Sequence, residues 1–239
     1  MSTPKAPRSG YHHGDLRNAL VGAGVALATK GGPQEVVLRA VAREVGVSPT
    51  AAYRHFANRE DLLHAVRLAA LARLAGAMEQ EVIAGKRRRD PVEDAVRRLR
   101  ALGAGYLRFA LAEPGLFRMA CCDTSAQTAD FSLVSDSRAF ALLTEVIDTL
   151  AGHGLIESGS RPYSEMAAWA PIHGMATLLL DGLLDALPPR QRQAAVDRVI
   201  EVTVEGLCGQ GVVADAGRSW TRRLWSPVRK REGGPGERP

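Results

Sequence analysis

Apolar residues recur at intervals of three and four positions through most of the chain, as they do along the buried face of an α-helix. The first such stretch runs from Leu16 to Leu27. Asp15 stands before it as a helix-capping residue, and Gly31 and Gly32 follow it as a stop. The pattern therefore predicts a first helix with a defined start and end.

The next stretch, EVVLRAVAREVGVSPTAAYRHF, predicts two short helices joined by a tight turn. Gly46 ends the first helix, because glycine takes positive φ values without strain. Ser48 is placed to cap the second helix, and Pro49 occupies its first position. The apolar face of the first helix consists of Leu38, Val41, Ala42 and Val45.

Longer helices follow this pair. Asn58 caps a helix with Glu60 and Asp61 in its first turn, where the helix dipole favours acidic side chains. Further helical stretches are separated by breaks at Pro91, Pro114-Gly115 and Pro188-Pro189. The sequence predicts an all-α protein with a small head of three helices and a larger helical domain.

Composition supports this prediction. Aromatic residues make up only 5% of the 239 residues and Ala, Leu, Val and Arg dominate, which favours helices over an aromatic-rich sheet. Positive charge is concentrated at the two ends: residues 1–60 carry +4, residues 61–211 carry −3 and residues 212–239 carry +4. A basic head of this kind favours an anionic partner.

The three cysteines, Cys121, Cys122 and Cys208, lack the spacing of a disulfide framework or a zinc site. We therefore expect a cytoplasmic protein with no metal and no cofactor. The vicinal pair leaves a redox role open, although no ligand cluster accompanies it. No apolar stretch approaches the roughly 20 residues that span a bilayer, so no membrane association is expected.

The turn after Val41 has the parts of a DNA-reading helix-turn-helix, with small residues on the exposed face of its second helix. Base edges in the major groove would be contacted by Thr50, Ala51 and Ala52. Phosphates would be contacted from the flanks by Tyr53 and His55, and positive charge would be added on either side by Arg39 and Arg59. On spacing alone, an ordinary helical hairpin stays an alternative.

The run LRAVAREVGVSPTAAYRHFANREDLLHAV closely resembles the DNA-binding head of the TetR family, and YHHGDLRNAL resembles the start of its first helix in one subgroup. The resemblance implies that residues 48–56, from Ser48, form the recognition helix. It places Arg59 where the family usually has a phosphate-contacting lysine. Val37 departs from the family pattern, which commonly has a capping Ser or Thr there.

A second, shorter resemblance lies in the larger domain. Trp169, His173 and Gly174 are similar to the WHG signature of one subclass of TetR C-terminal domains. Pro171 is expected to kink their helix and so shape a cavity. We expect a small lipophilic or aromatic effector to bind there, against Tyr106, Phe109, Met119, Phe140, Trp169 and His173. The alternative is that these are ordinary core residues.

A homodimer is expected because one short recognition helix buries too little surface for specific binding. TetR relatives dimerise through a four-helix bundle, which implies an interface on the last helix pair. The candidate stripe, with an internal core as its alternative, consists of Ala194, Val196, Val199, Ile200, Thr203, Val204 and Leu207.

The expected organisation is a basic arm (1–13), a helix-turn-helix domain (14–60), a regulatory and dimerisation domain (61–211) and a basic tail (212–239). No phosphate loop, nucleophile elbow or metalloprotease motif is present, so an enzyme is not expected. The expected function is a ligand-responsive repressor that binds a palindromic double-stranded DNA operator. An activator or a less specific DNA-binding protein of the same fold stays an alternative.

Overall fold

The computed structural model describes residues 13–121 and 131–209, and every regular element in these ranges is helical. The all-α prediction is confirmed. A single 3-10 turn, Pro33–Glu35, lies between the first two helices. The α-helices are α1 (His13–Gly31), α2 (Leu38–Val45), α3 (Pro49–Tyr53), α4 (Arg59–Ala84), α5 (Pro91–Ala112), α6 (Pro114–Cys121), α7 (Ser132–Ser135), α8 (Arg138–Gly152), α9 (Ser164–Leu180) and α10 (Pro189–Cys208).

The chain forms two compact units. Of the described residues, the first unit contains 13–77, 113–121 and 131–144, and the second contains Met78–Ala112 and 145–209. Helix α4 runs unbroken past residue 60, where the sequence predicts a domain limit. Apart from residue 13, the predicted arm lies outside the described residues, as does the predicted tail.

In the first unit, α1 packs against α2 and α6, and α2 packs against α3. Its centre is filled by apolar side chains that the helical periodicity places inward, among them Leu20, Val41, Phe56 and Leu62, each at most 2% exposed. Gly115 lies in the first turn of α6, where that helix packs against the end of α1. This packing holds the short α2–α3 pair on a larger apolar base.

In the second unit, α5, α9 and α10 pack on one another. Leu107, Ile147 and Ile200 are buried at its centre. A charged pair joins α5 to α10: the Arg100 guanidinium on α5, 4% exposed, donates three hydrogen bonds of 3.0, 3.2 and 2.9 Å to the carboxylate of Glu201 on α10. Because the buried Arg100 charge needs this partner, the ion pair holds α10 against α5.

Two predicted helix ends are wrong. Helix α1 begins at His13, so Asp15 lies within its first turn rather than at the cap. Helix α9 ends at Leu180 instead of continuing to the proline pair, because the chain turns at Gly182, where φ is +74°. The apolar residues beyond that turn follow helical spacing without forming an α-helix, since a glycine at positive φ interrupts the run. Helix α9 does continue through Pro171.

Candidate nucleic-acid interface and regulatory residues

The turn between α2 and α3 has the geometry of a helix-turn-helix. Gly46 adopts a left-handed conformation (φ 78°, ψ 28°), and the amide of Val47 donates a 2.9 Å hydrogen bond back to the carbonyl of Ala42. Ser48 then caps α3, its hydroxyl accepting a 3.2 Å hydrogen bond from the amide of Ala51. The stop and the cap predicted at these positions are both confirmed.

The side chains of α3 divide between a buried and an exposed face. Thr50 and Tyr53 are exposed, and Ala51 and His55 are partly exposed. Ala52 is fully buried against the head, at 0% exposure, so its methyl group is not available to DNA. The predicted base contact of Ala52 is therefore wrong. Its side chain faces the interior of the unit, where a small residue is needed for packing rather than for entry into the groove.

Several arginines are exposed on the first unit, which carries α3. Arg39 lies on α2 and is exposed, as predicted. The sequence interpretation missed Arg17, Arg43 and Arg54, which are also exposed on this unit. Arg17 lies over the ring of the buried Phe56, 5.0 Å from its centroid. The concentration of positive charge before residue 60 was the available signal, and it did not distinguish individual side chains.

Arg59, predicted to contact phosphate, is directed toward the protein backbone. Its Nε donates a 3.0 Å hydrogen bond to the carbonyl oxygen of Val36, and its Nη2 donates a 2.9 Å bond to that of Pro33. Both carbonyls lie just before α2. Val37, at the N-cap of α2, makes no side-chain capping bond, as expected for a residue without a hydroxyl.

Three of the six residues predicted to contact an effector form a hydrogen-bonded network in the second unit. The Trp169 indole donates a 3.1 Å bond to the hydroxyl oxygen of Tyr106, which lies 2.8 Å from Nδ1 of His173. Burial lowers the pKa of His173, so the ring is neutral at pH 7. Which of the two groups donates in the Tyr106–His173 bond depends on the tautomer of the neutral ring.

The other three predicted residues are divided between the units. Phe109 is buried on α5 in the second unit. Met119 is buried on α6 of the first unit, where Phe140 also packs edge-on against Phe131 at 5.9 Å between centroids. The structure thus brings Tyr106, Trp169 and His173 into direct contact, and the remaining part of the predicted lining stays a prediction.

A cavity of about 670 Å³ lies elsewhere in the second unit, between residues 154–167 and the end of α10 at residues 206–209. None of the six predicted residues lines it. Cys208 lies on its wall, and burial raises the pKa of the thiol. Cys121 is partly exposed, and Cys122 lies outside the described residues, so the vicinal pair stays untested.

The apolar stripe predicted for the dimer interface lies mostly inside the chain. Val196, Ile200 and Val204 are each 1% exposed, because α10 turns this face toward α5 and α9. Small and apolar residues are instead exposed on other faces of α9 and α10. These exposed residues are Ala167, Ala170, Pro171, Gly174, Leu178, Ala194, Val202 and Gly206. Buried and interface stripes have the same spacing, which is why the sequence did not separate them.

In residues 13–121 and 131–209, none of the helices is long and apolar enough to cross a membrane. Within the same ranges, no three His, Cys, Asp or Glu side chains are grouped so that they could hold a metal ion.

Two family models match the chain. The model for bacterial regulatory proteins of the tetR family matches residues 20–66, which include the whole helix-turn-helix. The model for the tetracyclin repressor-like C-terminal domain matches residues 99–203, which include Tyr106, Trp169 and His173. Together the two regions cover more than half of the chain.

Individual relatives agree with these matches. The HTH-type transcriptional repressor KstR of Rhodococcus jostii (strain RHA1) is 28% identical over 200 residues, which are 82% of this chain and 84% of KstR. A solved structure of a protein with unknown function from Rhodococcus sp. RHA1 is 30% identical with a TM-score of 0.66, covering 84% of this chain and 100% of that one. A TetR family transcription regulator from Marinobacter aquaeolei VT8 shares the fold, at 22% identity and a TM-score of 0.58 over 80% of this chain and 94% of its own. The chain belongs to the TetR family of bacterial transcriptional regulators.

Proposed function

We propose that the protein is a homodimeric repressor that binds a palindromic DNA operator through α3 and releases it when a small lipophilic or aromatic effector binds. The observation that carries the proposal is the α2–α3 geometry: a left-handed turn at Gly46 presents a capped short helix with Thr50 and Tyr53 exposed. A helix of this size fits the major groove of B-DNA.

The DNA contacts divide by chemistry. Thr50 and Ala51 are short enough to approach base edges, and the thymine methyl group suits both. Phosphates are contacted by Arg39, Tyr53 and His55 from the flanks of α3, with Arg54 added from the exposed arginines. Positioning by phosphates and reading by a few small side chains are the usual division of labour in such interfaces.

Dimerisation uses the exposed faces of α9 and α10. Ala170, Gly174, Val202 and Gly206 leave little side-chain bulk there, so two helix pairs can approach closely. To bind both half-sites, the two α3 helices of the dimer must lie near the roughly 34–36 Å that separates half-sites on one face of DNA. Effector binding disrupts DNA binding by changing that spacing.

The effector contacts proposed for the second unit are Tyr106, Phe109, Trp169 and His173. Trp169 and His173 are partly exposed while Tyr106 is 5% exposed, so a ligand would meet aromatic surface with few polar groups. The likeness to the repressor KstR supports repression as the direction of control.

Selection of duplexes by the full-length protein from a random-sequence pool tests the proposal. We expect a palindromic site, bound at physiological salt with an affinity at least about 1000-fold above that for unrelated DNA. Transcription in vitro from a promoter that overlaps the site should fall. A site selected without symmetry, or transcription that rises, would contradict the palindromic repressor and support the alternatives.

Oligomeric state is tested with a bulky residue on the proposed face. Gly174→Trp should convert the dimer to a monomer in analytical ultracentrifugation, because the indole prevents close approach of the two helix pairs. Gly159→Trp is the matched control, since Gly159 lies in an exposed turn outside both helices and a β-carbon added there would meet no atom within 4 Å. A Gly174→Trp protein that remains dimeric would exclude this face.

A further inference from the structure

Arg59 is the first residue of α4, and its guanidinium is directed at the backbone that enters α2. The bond from Nε to the Val36 carbonyl and the bond from Nη2 to the Pro33 carbonyl join positions more than twenty residues apart. Both bonds use donors of a charged group, which makes them stronger than bonds between neutral partners. One side chain thus joins the start of α4 to the start of the helix-turn-helix.

The segment that Arg59 holds also packs against α1 and α6, and the Gln34 side chain donates a hydrogen bond to the carbonyl of Gly31. Val37 offers no side-chain cap to α2, and φ of Val37 is extended at −127°. The 3-10 turn before it, Pro33–Glu35, has no side-chain cap either. Val36 is fully buried and so provides an apolar anchor. The orientation in which α2 begins is therefore set by this apolar packing together with the two arginine bonds, which are the only side-chain hydrogen bonds to the carbonyls of Pro33 and Val36 among the described residues.

The base from which Arg59 reaches is itself well fixed. The Asn58 side chain accepts a 2.8 Å hydrogen bond from the amide of Asp61, and the Asp61 carboxylate accepts a 3.1 Å bond from the amide of Ala57. This reciprocal arrangement caps α4 at its first turn. Phe56, 2% exposed, anchors the chain just before the cap. The backbone position from which the Arg59 side chain extends is therefore fixed.

We propose that Arg59 is a positioning residue for DNA recognition, which rests on the proposed function. By holding Pro33 and Val36 it sets the orientation of α2 on α4, and the tight turn at Gly46 transmits that orientation to α3. Arg59 would then affect how well α3 fits its site without itself neutralising a phosphate.

Two substitutions separate this role from phosphate contact. In Arg59→Lys the charge is retained, but a carbon occupies the position of Nε, so the bond to Val36 is lost. In Arg59→Gln the charge is lost, but the side-chain amide nitrogen occupies the position of Nε and can still donate to Val36. Positioning and phosphate contact therefore predict different results for each variant.

The measurement is binding of full-length protein to two labelled duplexes over a range of salt concentrations: a site selected by the wild type from a random pool, and a scrambled duplex. We expect Arg59→Lys to bind the selected site about tenfold more weakly, with scrambled DNA bound as before. We expect Arg59→Gln to keep the wild-type slope of log affinity against log salt, because each phosphate contact contributes about 0.9 to that slope.

Arg89→Lys is the matched control, since Arg89 is exposed in the loop between α4 and α5, outside the helix-turn-helix, and undergoes the same chemical change. It should leave the ratio of selected-site to scrambled-DNA affinity unchanged. A wild-type ratio in Arg59→Lys, or a slope lowered by about one in Arg59→Gln, would overturn the proposal. If Arg59→Lys does not fold, the slope of Arg59→Gln decides. Failure of the wild type to select any site would instead refute the proposed function.

Discussion

Gly115 sits at the closest approach of α6 to α1, and its replacement by alanine tests how tightly the first unit is packed. A β-carbon at this position would fall against the carbonyl oxygen of Ala28 and within 3.1 Å of both the Thr29 carbonyl oxygen and the Gly32 amide nitrogen. All three neighbours are backbone atoms at the end of α1, so none can rotate away as a side chain would. Helix α6 would have to shift.

The size of the effect follows from two opposing terms. Overpacking of a close contact costs about 1–3 kcal/mol, and rigid backbone neighbours favour the upper end. Alanine is favoured over glycine within a helix by about 1 kcal/mol. Gly115→Ala should therefore lower the free energy of unfolding by about 2 kcal/mol, equivalent to a fall in melting temperature of roughly 4–8 °C for a chain of this length.

Gly22→Ala is the control. Gly22 lies in α1 of the same unit, and a β-carbon there meets nothing within 4 Å. Its replacement should raise the free energy of unfolding by about 0.5–1 kcal/mol through helix propensity alone. Urea unfolding followed by circular dichroism measures both variants. If Gly115→Ala were as stable as Gly22→Ala, the close contact between α6 and α1 would be refuted.

Three further predictions concern other parts of the protein. Burial lowers the pKa of His173, so as the pH falls below about 6.5 this histidine is protonated more readily in the unfolded chain than in the folded protein. The free energy of unfolding should therefore decline below that pH, and should decline less in His173→Gln. Urea titrations at pH 7.5 and 5.5 would measure both proteins. Glu201→Gln leaves the Arg100 charge uncompensated and should destabilise the protein. Breaking a fully buried pair costs about 3–5 kcal/mol, and the cost here should be somewhat smaller because Glu201 is 27% exposed. An unchanged melting temperature would argue against the pair. Val37→Thr should raise the free energy of unfolding by about 1 kcal/mol by supplying the missing cap of α2, with no gain in Val37→Ala.

The helix-turn-helix could be predicted from sequence because its signals are local. Gly46, Ser48 and Pro49 each specify the backbone at their own position, and all three have the predicted roles. The burial of Ala52 could not be predicted in this way. It depends on how α3 is rotated against its unit, which is a tertiary property that a run of small residues leaves undetermined.

The second unit shows the same limit at longer range. The four-residue spacing of Trp169 and His173 correctly placed them on one helix face, with ring centroids 5.3 Å apart. Tyr106, which is 63 positions from Trp169 in the sequence, is hydrogen-bonded to it in the structure. Arg100 and Glu201 are 101 positions apart in the sequence. Nothing in the sequence indicated their contact, because a charged residue within an amphipathic helix ordinarily lies in solvent.

The Arg100–Glu201 pair also constrains how this chain can diverge. A lineage that loses one of the two charges passes through a protein with an unpaired charge in the second unit and reduced stability. Loss of both, with apolar residues of similar volume in their place, restores stability. Descendants of this chain should therefore retain both residues or exchange both together, and the two positions should vary as a single inherited character.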